Sequence, residues 1–122
     1  MNLNPDKVPS TIAEAIDELY NGLSEEDRKQ IMILGDNDVH FTLGSHIRNN
    51  WSLWETSTPL VQDFISRFRL FGHGDDVSSI ILCGVFARVK GFNEENEIFK
   101  RLREIRLHWR EYGMNSETGK PL

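Results

Sequence analysis

Six polar side chains with the capacity for chemistry are concentrated in two short segments, residues 40–54 and 73–76. They are His40, Arg48, Asn49, His73, Asp75 and Asp76. Imidazoles and carboxylates are ligands that divalent metals accept, and an arginine beside a histidine can hold a phosphate or a carboxylate. If the fold brings both segments together, one interpretation is a small-ligand or metal-dependent site.

A structural interpretation accounts for the same residues, and it is the one that we favour. One of the two aspartates would cap the helix that follows it, and the other would pair with Arg48, which can bind a carboxylate through two parallel hydrogen bonds. Such a clamp would tie the third helix to the fifth, and removing one partner of a buried pair costs roughly 3–5 kcal/mol. Gly44, one turn before Arg48, would let an incoming loop approach the helix closely.

The sequence contains no motif for metal binding or for nucleophilic catalysis. No two candidate ligands have a spacing such as His-x-x-x-His. Ser45, Ser78 and Ser79 lack a nucleophile-elbow motif, and Cys83 lies in an apolar run, where we expect a small buried side chain and no thiolate. His46 is expected to be solvated. We therefore predict no catalytic residue, no bound metal and no cofactor.

The length and charge of the chain limit its class. With 122 residues it can build a single core. The net charge is −5, and residues 1–44 hold nine acidic against three basic side chains. This balance argues against binding to nucleic acid or to an anionic membrane. No run reaches the roughly 18 apolar residues of a membrane span, and the N-terminus lacks the regions of a signal peptide. A cytoplasmic protein is therefore expected.

Capping residues and apolar periodicity predict an all-α, single compact domain of five or six helices. The helices are expected to begin after Thr11, Ser24, Asp36 or Asn37, Thr58, Asp75 or Asp76, and Asn93. They are expected to end at Gly22, Gly35, about Asn50, about Gly72, Gly91 and Gly113. The helical domain would then cover residues 10–113, with an extended arm at 1–9 and a disordered tail at 114–122.

Two of these helices carry the main packing predictions. The fifth contains an apolar run over residues 79–86, so we expect it at the centre of the core. A strand is the rival interpretation of so short a run. The last helix, residues 93–112, has an apolar stripe that should pack on the domain. That stripe consists of Ile98, Leu102, Ile105, Trp109 and Tyr112.

Three sequence blocks resemble a family of small bacterial domains of unknown function. They are Pro9-Ser-Thr-Ile-x-Glu-Ala-Ile, His40-Phe-x-Leu-Gly-x-x-Ile-Arg-Asn-x-Trp-x-Leu-Trp and His73-x-Asp-Asp-x-Ser-Ser-Ile-Ile-Leu. The resemblance covers about residues 8–91, which leaves the helix at 93–112 as an addition. It implies that His40, Gly44, Arg48, Asn49, Trp51, Trp54, His73, Asp75, Asp76 and Ser78 form the family signature. It implies no activity. The family has proline where this chain has Gly74, so that turn is expected to be looser here.

These observations together predict a non-catalytic protein-binding module. Its size and acidity would suit a bacterial or phage-borne inhibitor, immunity or regulatory factor, acting on an unidentified protein partner. The expected partner surface consists of Trp54, Arg103, Arg106 and Arg110. Weak homo-oligomers are also expected, because a basic last helix could meet the acidic first third of another copy. The alternative function remains the small-ligand or metal-dependent site described above.

Overall fold

The computed structural model describes residues 7–33 and 36–122, with side chains for 7–33 and 42–122. Within these residues the chain forms six α-helices and no β-strand, so the predicted all-α domain is confirmed. The helices are α1 (Ile12–Gly22), α2 (Glu25–Ile33), α3 (Asp36–Asn50), α4 (Pro59–Phe68), α5 (Gly74–Lys90) and α6 (Glu94–Glu111). No helix in the described part of the chain is long and apolar enough to cross a membrane. Most of the predicted extended arm and the predicted end of α2 at Gly35 lie outside the described residues.

Most helix starts lie where capping residues predict them. The hydroxyl of Thr11 accepts a hydrogen bond from the amide of Glu14 at 3.1 Å, and the Glu14 carboxylate accepts from the amide of Ser10 at 3.0 Å. Thr58 and Asn93 accept in the same way from the amides three residues on. These bonds satisfy amides that have no partner inside the helix, which is why such residues fix helix starts.

The predicted cap of α5 is wrong. His73, not Asp75 or Asp76, is the N-cap, and its Nδ1 accepts from the amide of Asp75 at 3.2 Å. A neutral imidazole nitrogen can accept a hydrogen bond as a hydroxyl does, so the helix begins at Gly74, two residues earlier than a cap at Asp75 would allow. Both aspartates therefore lie in the first turn, where their negative charge is favourable near the helix N-terminus.

Helix α4 ends four residues before the glycine that was expected to stop it. Its last helical residue is Phe68, and the C-cap Arg69 adopts a left-handed conformation with φ of 54°. Glycine is the usual residue in this conformation, which explains why the sequence indicated Gly72. The amide of Arg69 still closes the helix by donating to the carbonyl of Ile65 at 2.9 Å.

Helix α5 lies at the centre of the core, as predicted. It packs against α1, α2, α3 and α6, and its residues from Val77 to Leu82 are all buried. Gly84 allows α1 to approach closely, because a Cβ atom at Gly84 would lie 2.5 Å from Cδ1 of Ile16. A helix surrounded on most sides is apolar around most of its circumference, and this accounts for the continuous apolar run.

Helix α6 packs on α5 through four of the five residues of its predicted stripe. Leu102 and Ile105 are buried, and Ile98 and Trp109 are partly buried against the core. Tyr112, however, is 73% exposed. It is the C-cap, beyond the last helical turn, and its ring lies beside that of His108 at 4.9 Å. The packed stripe therefore ends one turn earlier than predicted.

Residues 114–122, for which the sequence predicts a disordered tail, form a closed turn in the structure. Met114 and Pro121 make an antiparallel bridge, and the amide of Leu122 donates to the carbonyl of Gly113 at 2.9 Å. The side chain of Asn115 accepts from the amides of residues 117 and 118 and shapes the turn. The turn is tied to the domain by the amide of Phe71, which donates to the carbonyl of residue 116 at 2.8 Å.

Candidate functional site

The start of α5 divides the predicted polar cluster into two parts. On one side Asp75 lies near Arg48 of α3, and on the other side Asp76 binds Trp109 of α6. His73 lies between them as the helix cap. The structure therefore brings four of the six predicted residues to one end of α5, but in two separate sets of contacts.

Arg48 joins α3 to α5, mainly through a serine. Its guanidinium donates from NH1 to Oγ of Ser78 at 2.9 Å, while its Nε lies 3.6 Å from Oδ1 of Asp75. The Ser78 hydroxyl in turn donates to the carbonyl of Asp75 at 3.0 Å. The side chain of Arg48 is 15% exposed and that of Asp75 is 62% exposed. The predicted contact between α3 and α5 exists, but its ion pair is long and open to water.

Gly44 provides space for the side chain of Arg48 and not for an incoming loop. A Cβ atom at Gly44 would lie 2.6 Å from NH1 of Arg48. The glycine therefore leaves the space that the guanidinium occupies one turn further along the same helix. This differs from the sequence interpretation, in which the space was reserved for another segment of the chain.

The exposure of Asp75 lowers the expected cost of breaking the clamp. We expect Arg48→Ala to reduce the free energy of unfolding by about 1.5–3 kcal/mol, because it removes a hydrogen bond from a charged group to buried Ser78. Asp75→Ala should cost less than about 1 kcal/mol, as for other exposed ion pairs. Urea unfolding of both variants and of the double variant measures the two contributions. A loss for Asp75→Ala as large as that for Arg48→Ala would contradict this assignment.

Asp76 joins α5 to α6. Its Oδ2 accepts a hydrogen bond from Nε1 of Trp109 at 2.8 Å. Burial raises the pKa of Asp76 above its ordinary value, although the Trp109 hydrogen bond and electrostatic interactions with His73 and Arg101 act in the opposite direction. The ionised carboxylate is thus held in place by an indole, and its charge is not fully compensated.

Aromatic rings surround His73. Its ring makes edge contacts with Trp54 at 5.4 Å and with Trp109 at 6.2 Å between centroids. Trp54 lies on the backbone of Gly74, where a Cβ atom would come within 2.6 Å of the indole. Its side chain is 54% exposed. Gly74 is thus the residue that lets a largely exposed tryptophan rest against the first turn of α5.

A groove of ≈ 710 Å³ runs along the side of α5 that carries Asp76. It is lined by His73, Asp75, Asp76, Arg101, Glu104, Ile105, Leu107, His108, Trp109, Glu111, Tyr112 and Met114. Most of these residues come from α6 and were not predicted from the sequence as site residues. Their i, i+3 and i+4 spacing is visible in the sequence, but only the packing of α6 on α5 turns that face towards Asp76.

Several predicted residues lie outside this groove. Asn49 is exposed on α3, and the side chain of His40 lies outside the described residues. His46, expected to be solvated, is half-buried. Its Nε2 is buried with no hydrogen-bond partner in the described part of the chain, and Asn50 donates to its carbonyl at 2.7 Å.

The serines of α5, which the sequence did not favour as nucleophiles, are held in the fold by other contacts. Ser78 is fully buried and binds Arg48, while the nearly buried Ser79 accepts from Nε of Arg101 at 2.6 Å. Cys83 is half-buried rather than buried, in a second groove that Phe86 and Phe92 also line. Among the described residues, no three His, Cys, Asp or Glu side chains are placed to hold a metal ion.

The three arginines of the predicted partner surface on α6 differ in their contacts. Arg103 and Arg110 are exposed, whereas Arg106, although exposed, donates from NH2 to the carbonyl of Phe68 at 3.0 Å. That contact gives Arg106 a role in attaching α6 to the end of α4. Arg103 and Arg110 are therefore the two arginines that can be changed with least effect on the fold.

The fold and the contacts at the start of α5 define a small all-α domain. The chain belongs to a family described as a domain of unknown function (DUF6794), whose sequence profile matches residues 8–88. The resemblance predicted from the sequence is thus confirmed at the level of the family. The matched region includes the Arg48 clamp and Asp76 but ends within α5, so α6 and most of the groove lie beyond it. Neither the curated proteins nor the solved structures contain a match to this chain.

Proposed function

We propose that this protein is a non-catalytic protein-binding module and that the outward face of α6 is its docking element. The observation that carries the proposal is the exposure of two large apolar side chains between arginines on this face. Phe99 is 66% exposed and Leu107 is 52% exposed. They line a shallow depression of ≈ 310 Å³ together with Arg103, Arg106 and Arg110.

The spacing of these residues supports a continuous binding surface. Positions 99, 103, 107 and 110 follow one another at intervals of four, four and three residues, so they share one side of the helix. Single exposed apolar residues are common on proteins. Here, however, a phenylalanine and a leucine lie in line with two arginines, and the other face of the helix is already packed on the domain. Solubility alone explains this arrangement less well than binding does.

The chemistry of this face indicates an acidic partner. Its exposed cations would meet carboxylates, and Phe99 and Leu107 would supply the apolar anchors that dominate binding energy at protein interfaces. Within the class of protein-binding modules, an inhibitor, immunity or regulatory factor from a bacterium or phage remains the role that the size of the domain suits best. The clamp contacts of Arg48 favour a structural rather than a ligand-binding role for that residue.

The test compares binding by the natural chain with binding by an Arg103→Glu/Arg110→Glu variant. Proteins that co-purify with the natural chain are identified, and the purified partner is then titrated against both forms by calorimetry. We expect binding to weaken at least about tenfold in the variant and to weaken with added salt, because like charges repel and salt screens the attraction. Phe99→Ala/Leu107→Ala should weaken it without changing the salt dependence.

A Lys29→Glu/Lys120→Glu variant is the matched control. It reverses the same number of charges on exposed lysines of α2 and of the C-terminal turn, outside α6 itself. Binding that falls equally in the control variant, or that survives in both α6 variants, would overturn the proposal.

Self-association through the same surface is a special case of this proposal. The protein has an acidic surface of its own, since Glu18 of α1 and Glu25 and Glu26 of α2 are exposed. Light scattering at low and high salt distinguishes this case. A mass above the monomer at low salt that is lost in the α6 double variant would make a second copy the partner. A monomer mass in all conditions would leave only a different protein as the partner.

A further inference from the structure

We propose that the groove between the start of α5 and α6 binds the guanidinium group of an arginine that a partner polypeptide presents. This site shares only Leu107 with the outward face of α6 and requires a partner group of the opposite charge. The proposal rests on three features of the groove: its charges, its aromatic and apolar lining, and the fixed position of Asp76.

The charges of the groove favour a cation. Four carboxylates line it, and Arg101 is the one guanidinium among its lining residues. Arg101 is already held inside the protein, because it donates to Oγ of Ser79 at 2.6 Å and to Oε2 of Glu104 at 2.8 Å. Asp76 and Glu111 therefore remain to attract a positive group from outside, while Asp75 already lies 3.6 Å from the Arg48 guanidinium.

The lining also suits the rest of an arginine side chain. Trp109 and Tyr112 contribute aromatic side chains to the lining, and a guanidinium stacks on aromatic rings more readily than an ammonium does. Ile105, Leu107 and Met114 offer apolar surface for the three methylene groups. The volume lies within the range of roughly 300–1,000 Å³ that is typical of ligand sites. Arginine is therefore favoured over lysine, which is a more strongly hydrated point charge.

The position of Asp76 is fixed before any ligand binds. The Trp109 indole holds Oδ2 at 2.8 Å, so the carboxylate loses little freedom when a guanidinium arrives. Burial raises the pKa of Asp76, so its charged form is under-compensated in the free protein. A bound cation would supply the missing compensation. His73, Asp75, Arg101 and Trp109 are the groups that face this carboxylate from α5, its cap and α6.

The experiment is an NMR titration of the full chain labelled with nitrogen-15. The probe is the peptide acetyl-Leu-Arg-Leu-amide, and the matched probe carries citrulline, which has nearly the same shape and no charge. We expect the arginine peptide to shift the indole N–H signal of Trp109 and the backbone signals of residues 104–112. The citrulline peptide should bind at least about tenfold more weakly, since a charged hydrogen bond is lost.

Asp76→Asn tests the carboxylate without removing the hydrogen-bond acceptor of Trp109. Because the pKa of Asp76 is raised in the fold, the ionised carboxylate lowers the stability of the domain at a pH above that pKa. The neutral side chain of Asp76→Asn avoids this cost, so the variant should not destabilise the domain at neutral pH. We expect about tenfold weaker binding of the arginine peptide. Glu18→Gln, which removes one exposed carboxylate of α1, should leave the affinity unchanged.

The pH dependence gives a second, independent measure. Binding by the natural chain should weaken as the pH falls through the pKa of Asp76, which burial raises above that of an ordinary aspartate. His73 and His108 also line the groove, so the decisive quantity is the part of the pH dependence that Asp76→Asn removes. Equal binding of both peptides, equal affinity of Asp76→Asn, or no shift of the Trp109 indole would overturn the proposal.

Discussion

Replacing Trp51 with alanine is expected to lower the free energy of unfolding by about 3–5 kcal/mol. Trp51 follows the last residue of α3, and its side chain is completely buried in the core. Truncation removes a large apolar surface and leaves a cavity that the neighbouring helices can fill only in part. Small domains are stable by about 5–15 kcal/mol in total, so this single change should consume a large share of that margin.

Trp54→Ala is the matched control for this prediction. The same residue type lies three positions further on, but it is more than half exposed and rests on the surface of α5. We expect a loss of less than about 1.5 kcal/mol, because much less apolar surface is removed from contact. Urea unfolding followed by circular dichroism measures both variants. Similar losses for the two tryptophans would show that burial of Trp51 does not hold the loop and α3 in place.

Gly84→Leu is expected to have the second large effect, a loss of about 3 kcal/mol. A Cβ atom alone would lie 2.5 Å from Cδ1 and 3.0 Å from Cγ1 of Ile16. Ile16 is itself buried in α1, so it cannot turn out of the way. The added side chain must therefore push α1 away from the central helix and open the core between them.

Two alanine variants separate this steric effect from backbone entropy. At Gly84 an alanine gains helix propensity but still meets Ile16, so we expect a net change of less than about 1 kcal/mol. At Gly22 no atom lies within 4 Å of the added Cβ. There the substitution should stabilise the protein by about 0.4–1 kcal/mol. Thermal unfolding of the three variants provides the comparison. A tolerated Gly84→Leu would mean that α1 and α5 are not closely packed.

The helices of this protein could be predicted from the sequence because local interactions determine where they begin. The caps at Thr11, Thr58 and Asn93 depend on residues within three positions, and so they are visible without the fold. The predicted helix ends were wrong where a residue type that is uncommon at a helix end occupied the capping position. His73 caps α5 and Arg69 takes the left-handed position after α4, whereas aspartate and glycine are the usual choices.

The candidate site was predictable only in part, because it depends on contacts between distant elements. The pairing of Arg48 with the start of α5 followed from charge and helix order alone. The partner of Asp76 could not be found in this way, since Trp109 lies 33 residues further along the chain. Its indole was assigned to the packed stripe of α6, and nothing in the local pattern shows that its N–H would point at a carboxylate.

The three tryptophans occupy three different environments, so the fluorescence of each can report on a different part of the protein. Trp51 is buried in the core, Trp109 donates a hydrogen bond to a carboxylate in the groove, and Trp54 is more than half exposed to solvent. Emission from a chain that retains only Trp51 would follow global unfolding. With phenylalanine in place of Trp51 to keep the core filled, a chain that retains only Trp109 would follow events at the start of α5, and one that retains only Trp54 would follow contacts made at the surface. The order in which their emission changes would separate local opening of the groove from loss of the whole fold.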